Sequence, residues 1–101
     1  MPIFELSVVP VGTGSPSVSR YVQAAVKLVR ESGLDYSVGA MGTCVQGDWD
    51  RVVALVKEIH ETLARMGCQR ILTTLKVDDR RDRIRTLQSK VERALGTTCT
   101  D

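Results

Sequence analysis

From Ile3 to Val11 apolar and polar positions alternate: Phe4, Leu6 and Val8 fall on one side of an extended chain, Glu5, Ser7 and Val9 on the other. That period of two is the pattern of a half-buried strand. Gly12-Thr13-Gly14-Ser15-Pro16 breaks it, and Ser15 ahead of Pro16 predicts an N-cap followed by a first helical residue. Val18, Val22, Ala25 and Val29, joined by Tyr21 and Leu28, then recur at three- and four-residue spacing until Gly33, a left-handed stop.

Asp35 to Gln46 reads as a second β region, which Gly39 and Gly42 divide into a hairpin of two short strands with its turn near Ala40 to Gly42. Asp48 then caps a helix whose stripe is Trp49, Val52, Val53, Val56, Ile59, Leu63 and Met66, ending at Gly67. Arg70 to Asp78 alternates Ile71, Thr73, Leu75 and Val77 against Leu72, Thr74, Lys76 and Asp78, a fourth strand. A short third helix is predicted with Asp82 as its cap, Ile84, Leu87, Val91 and Leu95 buried, and Gly96 as its end.

The order β-α-β-β-α-β-α predicts an α+β, ferredoxin-like βαββαβ sandwich with an extra C-terminal helix. Right-handed crossovers make the sheet antiparallel in the order 4132, with both long helices on one face. Residues 1–96 are expected to form a single domain and 97–101 a frayed tail. The other sheet face would carry Ile3, Glu5, Ser7 and Val9 beside Leu72, Thr74 and Lys76, too apolar a mixture to leave in water. The third helix covers part of it, and a second subunit is the economical cover for the rest.

A chain of 101 residues has room for one modest core, roughly two-thirds of its unfolded surface being buried at this size. Fourteen Lys and Arg against twelve Asp and Glu leave a formal charge of +2, too small to imply a nucleic-acid partner. Four aromatic residues, of which only Tyr36 is expected to point from the sheet face, do not make the base-stacking platform of an RNA-binding sheet. No stretch is apolar enough to span a membrane, and the opening residues lack the basic and apolar regions of a secretory signal, so a cytoplasmic chain is expected. Cys44, Cys68 and Cys99 match neither a disulfide framework nor a metal pair and are read as reduced thiols.

Little of this is the equipment of catalysis. His60, the single histidine, sits beside Ile59 within the second helix and is read as structural; no serine elbow, phosphate loop or acid, base and nucleophile set is visible. The chemistry on offer is binding. Gly12-Thr13-Gly14 would place backbone amides at a helix N-terminus. Lys76-Val77-Asp78-Asp79-Arg80-Arg81-Asp82 packs six charges of mixed sign into seven residues. Glu5 and Lys76, predicted neighbours on the uncovered face, form either a cross-strand pair or a ligand contact.

Val9-Pro10-Val11-Gly12-Thr13, Ser17-Val18-Ser19-Arg20-Tyr21-Val22, Ser32-Gly33-Leu34-Asp35-Tyr36, Met41-Gly42-Thr43, Gln46-Gly47-Asp48 and Thr73 to Asp82 together resemble the thiamine-binding protein-like family, over about residues 3 to 95. The resemblance implies a ferredoxin-like protomer in a homodimer or homotetramer that binds thiamine or its hydroxymethylpyrimidine moiety; it gives no ground for catalysis, and a non-enzymatic protein without a cofactor is expected. Gln46 departs from the glutamate of that pattern. Thiamine joins an aminopyrimidine, which needs donor and acceptor edges, to a thiazolium cation, which needs a carboxylate or an aromatic face. Matched to these positions, the expected ligand site at a subunit contact comprises Glu5, Ser7, Gly12, Thr13, Ser17, Ser19 and Thr43, with Lys76 and Arg80 nearby. The alternative is a regulatory module that senses another small metabolite.

Overall fold

The computed structural model describes residues 1–15 and 18–96. The elements follow the expected order: β1 (Ile3–Val11), α1 (Ser19–Glu31), β2 (Asp35–Val38), β3 (Thr43–Gln46), α2 (Trp49–Arg65), β4 (Arg70–Asp78) and α3 (Leu87–Leu95). The strands form one antiparallel sheet in the order β2-β3-β1-β4, the same as 4132 read from the other edge. This is the ferredoxin-like α+β sandwich with its added C-terminal helix.

β1 is the axis of the sheet, pairing along its whole length with β4, from Ile3 opposite Asp78 to Val11 opposite Arg70, and through Ile3 to Leu6 with β3. Side chains alternate across a strand, so Phe4, Leu6, Val8 and Pro10 face α1 and α2. Phe4 is fully buried with Val45, Val52 and Ile59, and its ring meets the edge of Trp49 at 5.0 Å. Removing one such side chain from water contributes roughly 1.5–3 kcal/mol. His60 ties α2 to β4 through a 2.5 Å hydrogen bond to the Thr73 hydroxyl, the structural role expected of it.

Several local expectations are corrected. α1 begins at Ser19 with Val18 as N-cap and no side-chain cap, so Ser15 does not start it; Pro16 and Ser17 lie outside the described residues. Val22 stands half exposed on that helix, and on α2 Trp49 and Val53 do the same, while Leu55, omitted from the expected stripe, is buried. Tyr36 pairs with Val45 and so shares the helix-side row of Phe4 and Val77.

The largest correction is α3. Its N-cap is Thr86, whose hydroxyl accepts from the Ser89 amide at 3.0 Å while the Ser89 hydroxyl takes the Thr86 amide at 2.9 Å. Such a reciprocal box normally carries Glu or Gln at the fourth position, and serine there hides the signal. Asp82 is occupied elsewhere, accepting twice from Arg80. Ile84, outside the helix, is 92% exposed, and Val91 and Leu95 are 56% and 71% exposed, so the expected buried stripe is open. Gly96 ends the helix in the left-handed region at φ 73°. Residues 97–101 lie outside the described residues.

Gln46 explains how the segment before α3 is held. It is buried on the sheet face away from α1 and α2, and its Nε2 donates to the Met1 carbonyl at 3.0 Å and the Arg85 carbonyl at 2.5 Å. A carboxylate cannot make these donations, so the two carbonyls call for an amide at this position. Gln46→Glu is expected to destabilise the fold by about 1–3 kcal/mol at pH 7, the cost of leaving buried groups unsatisfied. The loss should shrink towards pH 4, because a protonated carboxyl regains one donor. Urea midpoints of the variant and parent at the two pH values measure it; equal midpoints at pH 7 would refute the clamp.

Candidate functional site

The sheet face opposite α1 and α2 is built from rows that run across the strands. One row sets Ser37, Cys44, Glu5 and Lys76 side by side on β2, β3, β1 and β4, and the next sets Asp35, Gln46, Ile3 and Asp78. α3 lies over this end of the face, against β2 and β3. Because it starts beyond the clamp at Arg85 and buries none of its residues, it roofs the rows without closing on them. A cleft of about 590 Å³ remains between them. Glu5, Ser37, Cys44, Lys76, Asp78 and Lys90 supply its polar groups, and Ile3, Leu87, Val91 and Ala94 its apolar walls.

Charges in this cleft are unevenly satisfied. Lys90 Nζ lies 2.6 Å from Asp78 Oδ2, an ion pair from α3 to the end of β4. Glu5 and Lys76 stand opposite one another in the register. Among the described residues they form no ion pair, and the Glu5 carboxylate has no hydrogen-bond donor. Burial pushes the Cys44 thiol above the usual cysteine range, and the neighbouring Glu5 charge pushes it further. Thiolate at Cys44 is therefore disfavoured near neutral pH. No cluster of metal-ligating side chains occurs among the described residues, and no described helix is long and apolar enough to cross a membrane.

Within one protomer the expected site residues lie in separate places. Glu5, Ser7 and Lys76 share the open face, Ser7 one row further along and opposite Thr74. Thr43 pairs with Leu6 and belongs to the opposite face, lining a second cavity of about 280 Å³ with α1 residues such as Val22 and Ala25. Gly12 and Thr13 lie past the far end of β1; at about 3.3 Å per residue, seven positions separate Gly12 from Glu5 by roughly 23 Å. Ser19 starts α1 beside Thr13 and Arg20 in a shallow groove, so the glycine turn presents no helix N-terminus to the cleft. Ser17 lies outside the described residues.

Arg80 is held on Asp82 at 2.8 Å, as Arg81 is on Asp79 at 2.9 Å, and each arginine holds its carboxyl partner below the usual range. A Cβ at Gly42 would lie 3.2 Å from the Leu6 carbonyl oxygen and 3.5 Å from the stem of Glu5, so the glycine lets the hairpin backbone pass close to β1. Cys44, Ser37, Asp78 and Lys90 join the cleft without having been anticipated as ligand residues. For Cys44 the signal was present, since its alternation with Val45 sends it to the face of Glu5. For Lys90 it was not, because the true start of α3 decides where that side chain points.

Residues 4–95 match the sequence profile of a family described as thiamine-binding protein. A UPF0045 protein of Methanothermobacter thermautotrophicus is 45% identical over 89 residues, 87% of this chain and 90% of the relative. The crystal structure of hypothetical protein MJ1052 from Methanocaldococcus jannaschii superposes with a TM-score of 0.84 at 32% identity, covering 96% of this chain and 97% of that one. A candidate thiamine biosynthesis/salvage protein of Thermotoga maritima superposes with a TM-score of 0.78 at 26% identity, over 92% and 97% of the two chains.

The Glu5 and Cys44 juxtaposition has a measurable sign. A thiol whose folded value is raised adds stability below its unfolded value and loses it as pH rises through the folded one. Glu5→Gln removes the second cause and leaves burial, so the pH profile of Cys44 alkylation should move to lower pH, followed by mass spectrometry of the peptide that carries it. An unmoved profile would show that the carboxylate does not face the thiol.

Proposed function

The chain belongs to the thiamine-binding protein family, and from that premise we propose that it binds thiamine, or its hydroxymethylpyrimidine part, in the cleft beneath α3, without catalysing its conversion. The observation that carries this reading is the Glu5 carboxylate, which faces a largely apolar cleft with no cation or donor bonded to it. A thiazolium supplies the missing positive charge while its ring rests on Ile3, Leu87 and Val91. The cleft volume of about 590 Å³ suits a ligand of that size. Ser37 and the Asp78–Lys90 pair offer donors and acceptors for an aminopyrimidine edge. The Thermotoga relative's description as a candidate thiamine biosynthesis/salvage protein supports the same ligand class.

The assembly that completes this reading is a homotetramer with the cleft at a subunit contact. Val9 and Leu72, paired across β1 and β4 on the open face, are 45% and 57% exposed, and Leu95 of α3 is 71% exposed. A second copy laid on this face removes those side chains from water, as exposed apolar side chains at a subunit contact commonly are. It also lowers the dielectric around Glu5, strengthening its hold on a cation.

Calorimetry of thiamine against the parent and Glu5→Gln tests the ligand. The amide keeps the shape and removes the charge, so affinity should fall by about 1.5–3 kcal/mol, roughly ten- to a hundredfold, at unchanged oligomer size. Unchanged affinity would take Glu5 out of the site, and no binding by the parent would sink the thiamine reading. Light scattering should report a particle of four 11.1 kDa chains at micromolar concentration; a monomer would refute the assembly.

A further inference from the structure

We propose that the basic cavity next to the cleft is a phosphate site, taking either the phosphoryl group of an ester whose organic part lies in the cleft or a free phosphate. Only the identity of that organic part rests on the thiamine reading. The cavity, of about 380 Å³, is lined by Asp78, Arg80, Arg85, Lys90, Arg93 and Ala94. Asp78, Lys90 and Ala94 line the cleft as well, so the Asp78–Lys90 ion pair is the shared wall between the two spaces.

Arg85 makes the case. Its Nη2 is buried and has no hydrogen-bond partner, the one side-chain nitrogen or oxygen of this kind among the described residues. Guanidinium nitrogens taken out of water are normally paired, and an unpaired one calls for an explanation. Its backbone is fixed by the Gln46 amide, so the side chain is presented from an anchored position. In the same lining Lys90 is engaged by Asp78, which leaves Arg85 as the side chain with a buried nitrogen to satisfy. Arg80 is held by Asp82 at the rim and keeps its place. A tetrahedral anion supplies what Arg85 lacks: acceptor oxygens that can meet its planar fork while others reach the neighbouring Lys90 ammonium. An ester bound with its cation near Glu5 would pass its phosphorylated arm over the Asp78–Lys90 wall into this space.

Three titrations on the full chain decide it, with thiamine, thiamine monophosphate and inorganic phosphate each run against the parent, Arg85→Met and Arg93→Gln at one ionic strength. The monophosphate should bind the parent at least tenfold more tightly than thiamine, and Arg85→Met should erase that gain while leaving thiamine affinity unchanged. Should circular dichroism show that Arg85→Met does not fold, Arg93→Gln carries the comparison with a several-fold loss. Saturable inorganic phosphate binding that Arg85→Met abolishes, without a gain for the ester, supports the site with free phosphate as its occupant. If neither thiamine compound binds, the functional reading fails and inorganic phosphate alone judges the cavity. No phosphate binding and no gain for the ester would overturn the proposal.

Discussion

The pairing register of β1 governs both faces of this protein at once. With Phe4 set against Val45 and Val77, the ring is sealed in the core, and the same register sets Glu5 between Cys44 and Lys76 on the opposite face. A slip of one residue would exchange the two, putting a carboxylate into the helix-covered core and a phenyl ring on the open face. The depth of the core thus protects a feature that the core never touches. Trp49, set edge-on to Phe4, adds a contact on the helix side of the sheet.

On the open face the governing element is different in kind. α3 contributes no buried residue, and what positions it is polar: the Gln46 amide on the Arg85 carbonyl, the Thr86 and Ser89 cap, and the Lys90 ion pair with Asp78. Directional groups of this sort set a roof at a distance, whereas an apolar stripe would have pulled the helix onto the sheet. The cleft exists because Leu87, Val91 and Leu95 are not used to close it.

The sheet was legible from alternation alone, because β1 and β4 are long, and each period-two run leaves a single way to turn its apolar side inward. The hairpin and the α2 cap were equally plain from Gly39, Gly42 and Asp48. Harder to read were features set by side chains that substitute for one another. Ser89 does the work usually given to glutamate, Val18 starts α1 with no side-chain cap, and Asp82 resembles a cap but serves Arg80. The candidate site suffered from distance along the strand. Glu5 and the glycine turn read as one neighbourhood in the sequence, yet they lie towards opposite ends of β1. Thr43 missed the open face by a single step of the alternation.

The autonomy of α3 bears on how the molecule opens. A helix with a reciprocal cap at one end, a left-handed glycine at the other and no side chain in the core can unfold without removing any member of the core cluster. Amide protons within it should exchange through partial opening at low free energy, while those of β1 wait for the whole structure to unfold. The cleft would then have two working conditions, roofed and unroofed, separated by a local transition instead of a rearrangement of the sheet. A ligand that bridges Glu5 and Lys90 spans the boundary between these two cooperative units and couples them into one.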